Sequence, residues 1–445
     1  MRHNGLHIIA GACALALAYG CTEIHPIDPT ENAEEQEVTP GTEETVAVGL
    51  PAPITQLGPI TLTGKEEELA LGINQFAFRL LSQLYSGGSM VISPLSLELV
   101  LSMAADGADG NTQDQIRETV SSPGRTCLVS GREMEHLDGF NKHLLVHLPA
   151  VDTTVRMNCV NALIADNNAP LLDSYVSSVE NNYYATVRNM DFNDFGKVQE
   201  TVNDWSNRTT NGLIPTILDQ NSRGDALALL INLLYMKAQW TTGFDKERQV
   251  LKSAEFKSAS GQTVLRDYLN AESALAYYEN ETFTAVRLGL GRWERFSFTI
   301  LLPKADDGLP ELVEQLSANP LPWRESIRGM TYKIVAFSMP MFETESSYRL
   351  REVLKELGIR DAFDGYKADF SRVFQTGARI DEVIQKAKMV VNTDGIEGAA
   401  ATTIGFVASG LVPDPIQFQA DHPFIYIITE DSSRTILFLG IYDGE

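Results

Sequence analysis

Residues 226–240 read ALALLINLLYMKAQW, an apolar run with no charged side chain before Lys237. A strand made from it has no polar face to offer water, so it must be a central strand covered on both sides. A fold containing that strand has a sheet with other elements packed above and below it. The neighbouring segments supply them. Residues 66–85 place Leu69, Ile73, Phe76, Ala77, Leu80, Leu81 and Leu84 at helical spacing, which predicts an amphipathic helix. In 90–116, a short apolar strand, Met90 to Ile92, runs into Ser93-Pro94, where proline suits the first turn of a helix over Leu95 to Ala105 that Gly107 and Gly110 break.

Residues 202–218 read as a helix closed by a Thr-Asn-Gly turn. Residues 295–316 read as strand, turn and helix, with Pro303 stopping the strand, and 330–359 as a strand and then a helix. Residues 422–442 read as a hairpin around Asp431-Ser432-Ser433. There is no internal repeat, and strands and helices alternate without the rhythm of a parallel sheet, so the class is mixed α+β.

The chain has 445 residues and a net charge of −24, from 59 acidic against 35 basic residues. A nucleic-acid partner needs clustered Lys and Arg, and no such cluster or heparin-type stripe is present. The N-terminus reads as an export signal: Arg2 and His3 precede an apolar run from Leu6 to Tyr19 that is too short for a stable membrane span. Gly20-Cys21 resembles the end of a bacterial lipobox, with Cys21 as the lipidated residue. The expected location is an outer membrane or cell surface, with plain secretion as the alternative.

Thr22 to Thr63 holds eight acidic residues, six prolines and no Lys or Arg, the composition of a solvated spacer. As a coil of about 40 residues it would hold its cargo roughly 35 Å from an anchor. The expected division is thus 1–20 signal, 21–63 linker and 64–445 folded domain. Of four cysteines only Cys127 and Cys159 fall in that domain, and two unpaired buried thiols are expected there.

Catalytic motifs are missing: G-x-S-x-G, S-x-x-K and H-E-x-x-H do not occur. His143 and His147, four apart, lack an adjacent Glu and a clear third ligand, so they read as solvated helix residues rather than a metal pair. Gly289-Leu290-Gly291 is better explained by a turn than by a phosphate cradle. No metal or cofactor is expected.

One further stretch stands out. After Glu397 no charged residue occurs until Asp414, and 392–415 is built largely of Ala, Gly, Ser and Thr. Ile396, Gly398, Ala400, Thr402, Ile404 and Phe406 alternate with Glu397, Ala399, Ala401, Thr403, Gly405 and Val407, the period of a strand with one buried face. The glycines weaken it as a permanent strand. It reads as a loop in one state and a strand in another, or else as a mobile Ala/Gly linker.

Taken together these segments resemble a serpin over almost all of Gly64 to Glu445. VISPLSLELVLSMAADGADGNTQDQI, LLINLLYMKAQWTTGF, FTILLPKA, MPMFETESSYRLREVLKELGIRDAF, AKMVVNTDGIEGAAATT and DHPFIYII with ILFLG occur in serpin order. The resemblance implies a single large domain with three β-sheets, eight or nine helices and an exposed reactive-centre loop. It also implies a suicide-substrate inhibitor of serine proteases, not an enzyme. A protease cleaves the loop, an acyl-enzyme forms, and the loop inserts into the central sheet, dragging its target along in a covalent complex. The partner would be that protease, with papain-like cysteine proteases as further targets, and the inhibitor a monomer that meets a membrane only through its lipid anchor. The alternative is a non-inhibitory serpin whose loop is cut as a simple substrate.

By the same resemblance Asp394, Gly395, Ile396, Glu397, Gly398, Ala399, Ala400, Ala401 and Thr402 form the hinge. Ser93, Ser96, Asn161, Asn232 and Gln385 form a polar cluster under the opening strands, and Trp240 lies where the loop first enters. Gln385 stands where many serpins have histidine, and an amide keeps the hydrogen bonding but not the pH response. Thr210 and Gly212 match the turn after the helix that crosses the sheet. Thr393 and Asp394 replace a Glu pair, Ile396 replaces Thr and Gly398 replaces Ala, but none of these is a proline or a new charge that forbids insertion. The scissile bond counts to Ser409-Gly410. The loop is about three residues longer than in familiar members, so Phe406, Val407, Ala408 and Leu411 are alternatives. Small residues suit elastase-like or subtilisin-like proteases, and Phe406 or Leu411 chymotrypsin-like ones.

Overall fold

The computed structural model describes residues 9–19, 58–121, 131–220, 222, 225–244, 249–393 and 414–445, the side chains of 9–19 and 131–135 excepted. In chain order the described elements begin with β1 (Ile9–Tyr19), α1 (Gly64–Leu84), β2 (Met90–Ile92), α2 (Pro94–Gly107), α3 (Gly110–Ser121) and α4 (Gly131–His147). There follow β3 (Arg156–Asp166), α5 (Asp173–Tyr183), β4 (Thr186–Met190), α6 (Phe195–Thr209), β5 (Ala226–Lys237), β6 (Val250–Lys257), β7 (Thr263–Glu279), β8 (Phe283–Leu290) and β9 (Phe296–Pro303). The chain closes with α7 (Leu309–Ala318), α8 (Leu321–Gly329), β10 (Thr331–Pro340), β11 (Phe342–Arg349), α9 (Arg351–Leu357), β12 (Ala378–Val391), β13 (Ile416–Gln419), β14 (Phe424–Glu430) and β15 (Thr435–Tyr442).

A six-stranded sheet runs β11-β12-β1-β5-β3-β4. The remaining strands follow the path β13-β10-β7-β8-β9-β14-β15-β2, with β6 on β7. The 17-residue β7 belongs to two sheets at once: its first part pairs with β6, most of its length with β10, and its end with β8. Three sheets result, two of them joined through this strand.

Residues 226–236 of β5 are all buried, as a strand without a polar face requires. One face of its sheet meets α6, whose Val198, Val202 and Trp205 form a core with Val160, Ile164, Leu229, Ile231, Leu233 and Ile384. The other face joins the main core, which includes Leu97, Val100 and Leu101 of α2. α1 is capped by Thr63 and Glu66, each side chain bonding the other residue's backbone N–H.

One expectation needs correcting. The single strand read in 330–349 is two strands, because Pro340 cannot donate to a ladder and the chain leaves one sheet for another there; the Met341 N–H donates to Asp267 O at 2.7 Å. The apolar run 9–19, part of the segment that reads as an export signal, has the backbone of a strand inside the six-stranded sheet.

Candidate functional site: the head of the six-stranded sheet

Ser93 is the N-cap of α2, with Pro94 at the first helical position. Its Oγ donates to Leu437 O at 3.0 Å and its own carbonyl accepts from Gln385 Nε2 at 2.8 Å, tying α2 to β15 and β12. Asn232 Nδ2 donates to Asn161 Oδ1 at 2.9 Å, and Asn161 Nδ2 to Tyr183 O at 2.7 Å. All of these side chains, and Ser96, are buried. The Ser96 hydroxyl, Asn232 Oδ1 and Gln385 Oε1 have no hydrogen-bond partner among the described protein groups.

Register explains why residues so far apart in the chain share a row. Asn161 is opposite Asn232 and Gln385 is opposite Tyr348, while the backbone of Cys13 lies between Asn232 and Gln385. A polar line therefore crosses the buried middle of the sheet at one level.

Trp240 sits at the top of the same sheet. Its ring packs edge-on against Phe298 at 5.5 Å and Phe244 at 5.9 Å, and its Nε1 donates to Asn392 O at 3.0 Å. That bond holds the chain just after β12 ends. Thr210 Oγ1 donates to Ser206 O and accepts from the Ile214 N–H at 2.9 Å, while Gly212 takes φ +83°, a left-handed conformation that favours glycine. Together they fix the turn leaving α6.

The hinge residues Asp394 to Thr402, the candidate bond residues Phe406, Val407, Ala408, Ser409, Gly410 and Leu411, and Cys21 and Cys127 lie outside the described residues. Cys159 is a free, buried thiol, pushed up to about 12 by burial, so it is no nucleophile at neutral pH. His143 is part-buried rather than fully solvated: α1 brings Glu66 to it, with 2.8 Å between Nδ1 and Oε1, and its ring lies 4.4 Å from that of His147. Among the described residues no group of three His, Cys, Asp or Glu could hold a metal, and no helix is long and apolar enough to cross a membrane.

Sequence reasoning missed Glu98. This carboxylate is wholly buried on α2, where Oε1 accepts from Ser102 Oγ at 2.6 Å and from Asn141 Nδ2 at 2.9 Å, and Oε2 has no partner among the described residues. Desolvation raises it to about 7, against the two hydrogen bonds that lower it, with Asp138 adding repulsion. About two turns further on, Asp106 faces Arg117 at 3.7 Å and is also raised to about 7, first by burial and then by Asp138. The available signal was an acid inside the apolar helix run LSLELVLSM.

Residues 71–443 match the family profile described as serpin (serine protease inhibitor). The chain belongs to the serpin family. It is similar to Serpin-Z2A of Triticum aestivum, 30% identical over 384 residues that cover 82% of this chain and 94% of that protein. It is also similar to the leukocyte elastase inhibitor of Homo sapiens, 29% identical over 392 residues, covering 85% of this chain and 100% of that one. Among solved structures, the thermophilic serpin tengpin in its native state superposes with a TM-score of 0.72 at 22% identity, covering 89% of this chain and 97% of that one.

Proposed function

We propose that this serpin is a suicide-substrate inhibitor of serine proteases of elastase-like, subtilisin-like or chymotrypsin-like specificity, with papain-like cysteine proteases as further targets. The observation that carries the reading is the position of Asn392. β12 ends at Val391, Trp240 grips the next carbonyl, and the chain that follows starts beside the place between β12 and β5 that β1 holds in this structure. A chain turning back there runs antiparallel to both strands. Similarity to a leukocyte elastase inhibitor adds support for small residues such as Ala408 or Ser409 at the cut.

In the proposed reaction the protease serine Oγ attacks the carbonyl of the scissile peptide. The C–N bond breaks, an ester forms, and the serine proton passes through the protease histidine to the departing amine. Residues C-terminal to the cut stay with β13, and those N-terminal to it are free to enter the sheet. Burying Ile396, Ile404 and Phe406 would contribute about 1.5–3 kcal/mol each. New ladder hydrogen bonds would add roughly 0.5–1.5 kcal/mol each. Inhibition follows if insertion outruns hydrolysis of the ester.

The export reading completes the proposal: the segment before Cys21 is removed, Cys21 carries a lipid, and the acidic linker presents the domain at an envelope surface. Arg2, His3, the apolar run and Gly20-Cys21 support it.

The test mixes the chain beginning at Thr22 with pancreatic elastase, chymotrypsin and subtilisin and resolves the products on a denaturing gel. A band at the summed mass supports inhibition. A shortened serpin with fully active protease in every case refutes it and leaves the substrate-only serpin.

A further inference from the structure

The gap that the reactive loop would enter is filled in this structure by the chain's own N-terminus. β1 pairs with β12 along all of its 11 residues and with β5 from Ile9 to Ala18, antiparallel to both. Its direction is that of a loop returning from β12.

Register and sequence make the coincidence specific. Ile9 is opposite Met389. A loop that turned back tightly through Asn392 and Thr393 would set Asp394 opposite Val391, and hence Ile396 opposite the same Met389. Read forward from these two isoleucines, IAGACALALAY meets IEGAAATTIGF. Ile9, Gly11, Ala12 and Ala14 are matched by Ile396, Gly398, Ala399 and Ala401, and Leu17 and Tyr19 by Ile404 and Phe406. The large apolar residues fall at the same alternate positions, and residues 9–19 contain no charge and no proline. In strand form the segment passes the polar row at Cys13, between Asn232 and Gln385.

We propose that Ile9–Tyr19 is an internal mimic of the reactive loop, which occupies the loop's slot in the full-length chain and blocks trapping of a protease until the segment is removed. Two strands cannot share one slot. While β1 is in place the sheet is already complete, a cut loop gains no ladder, and the acyl-enzyme hydrolyses. Processing before Cys21 that precedes folding keeps β1 out of the slot and leaves the inhibitor armed. The proposal rests on the inhibitor reading above for its consequence, but not for the occupancy itself.

The test compares the full-length chain, produced without export, with the chain beginning at Thr22. Amide hydrogen exchange in Ile9–Tyr19 should be slowed on the order of 100-fold relative to an unstructured peptide. Subtilisin should be trapped by the chain beginning at Thr22, while the full-length chain is only cleaved. A synthetic IAGACALALAY peptide added to the shorter chain should abolish trapping, and a scrambled peptide should not. Ala14→Pro in the full-length chain, which a central strand cannot accommodate, should restore trapping. Fast exchange across residues 9–19, or equal trapping by both chains, overturns the proposal. Slow exchange with no trapping of subtilisin, pancreatic elastase or chymotrypsin by the shorter chain or by Ala14→Pro upholds the occupancy and refutes the inhibitor reading instead.

Discussion

Glu98→Gln separates the electrostatics of α2 from its packing. The wild-type carboxyl stands at about 7 when folded, raised by burial from an ordinary value of 4.5. An acid raised on folding binds its proton more tightly in the native state. Its contribution is therefore fully favourable below about pH 4.5 and is lost as pH rises through about 7. A shift of this size corresponds to about 3 kcal/mol across that window. Glutamine reproduces the protonated acid: Oε1 still accepts from Ser102 and Asn141, and the amide nitrogen takes the place of the unpartnered oxygen. The variant should match wild type near pH 4 and exceed its stability by about 3 kcal/mol near pH 8.5. The urea midpoint difference between the two proteins should grow by on the order of 1 M between those pH values. Asp106, raised by burial and by Asp138, titrates in both proteins and cancels to first order in the double difference. Parallel pH–stability curves would refute the claim that Glu98 is an uncompensated buried acid.

Four further outcomes are expected, all in the chain beginning at Thr22. Trp240→Phe keeps the ring contacts but loses the hydrogen bond to Asn392, so it should cost about 1 kcal/mol and raise the ratio of cleaved serpin to trapped complex on a gel. Asn232→Ala strands Asn161 Oδ1 in a buried row, and should lower stability in chemical denaturation by about 1–3 kcal/mol. Thr402→Arg places a charge where the loop would enter the sheet, and should cut complex yield at least about ten-fold while leaving cleavage intact. Gln385→His should make the native state lose stability as pH falls through about 6, whereas the wild-type amide at this site does not titrate.

The sequence by itself determined the main elements. Continuous apolarity in 226–240 demanded a doubly covered strand, Ser93-Pro94 opened α2, and Pro303 closed β9, because each follows from local backbone chemistry or from a single face's polarity. Family motifs in order carried the fold class further than periodicity could. Tertiary structure alone decided which strands are neighbours, since hydrogen-bonding partners come from hundreds of residues away. Only that pairing set Asn161, Asn232 and Gln385 at one level, brought Trp240 to Asn392, closed α2 over Glu98, and gave the first apolar segment a place beside β5 and β12. An apolar run near the N-terminus has the same composition whether it crosses a membrane-export channel or joins a sheet. Which of the two it does depends on a gap that exists only after the rest of the chain has folded.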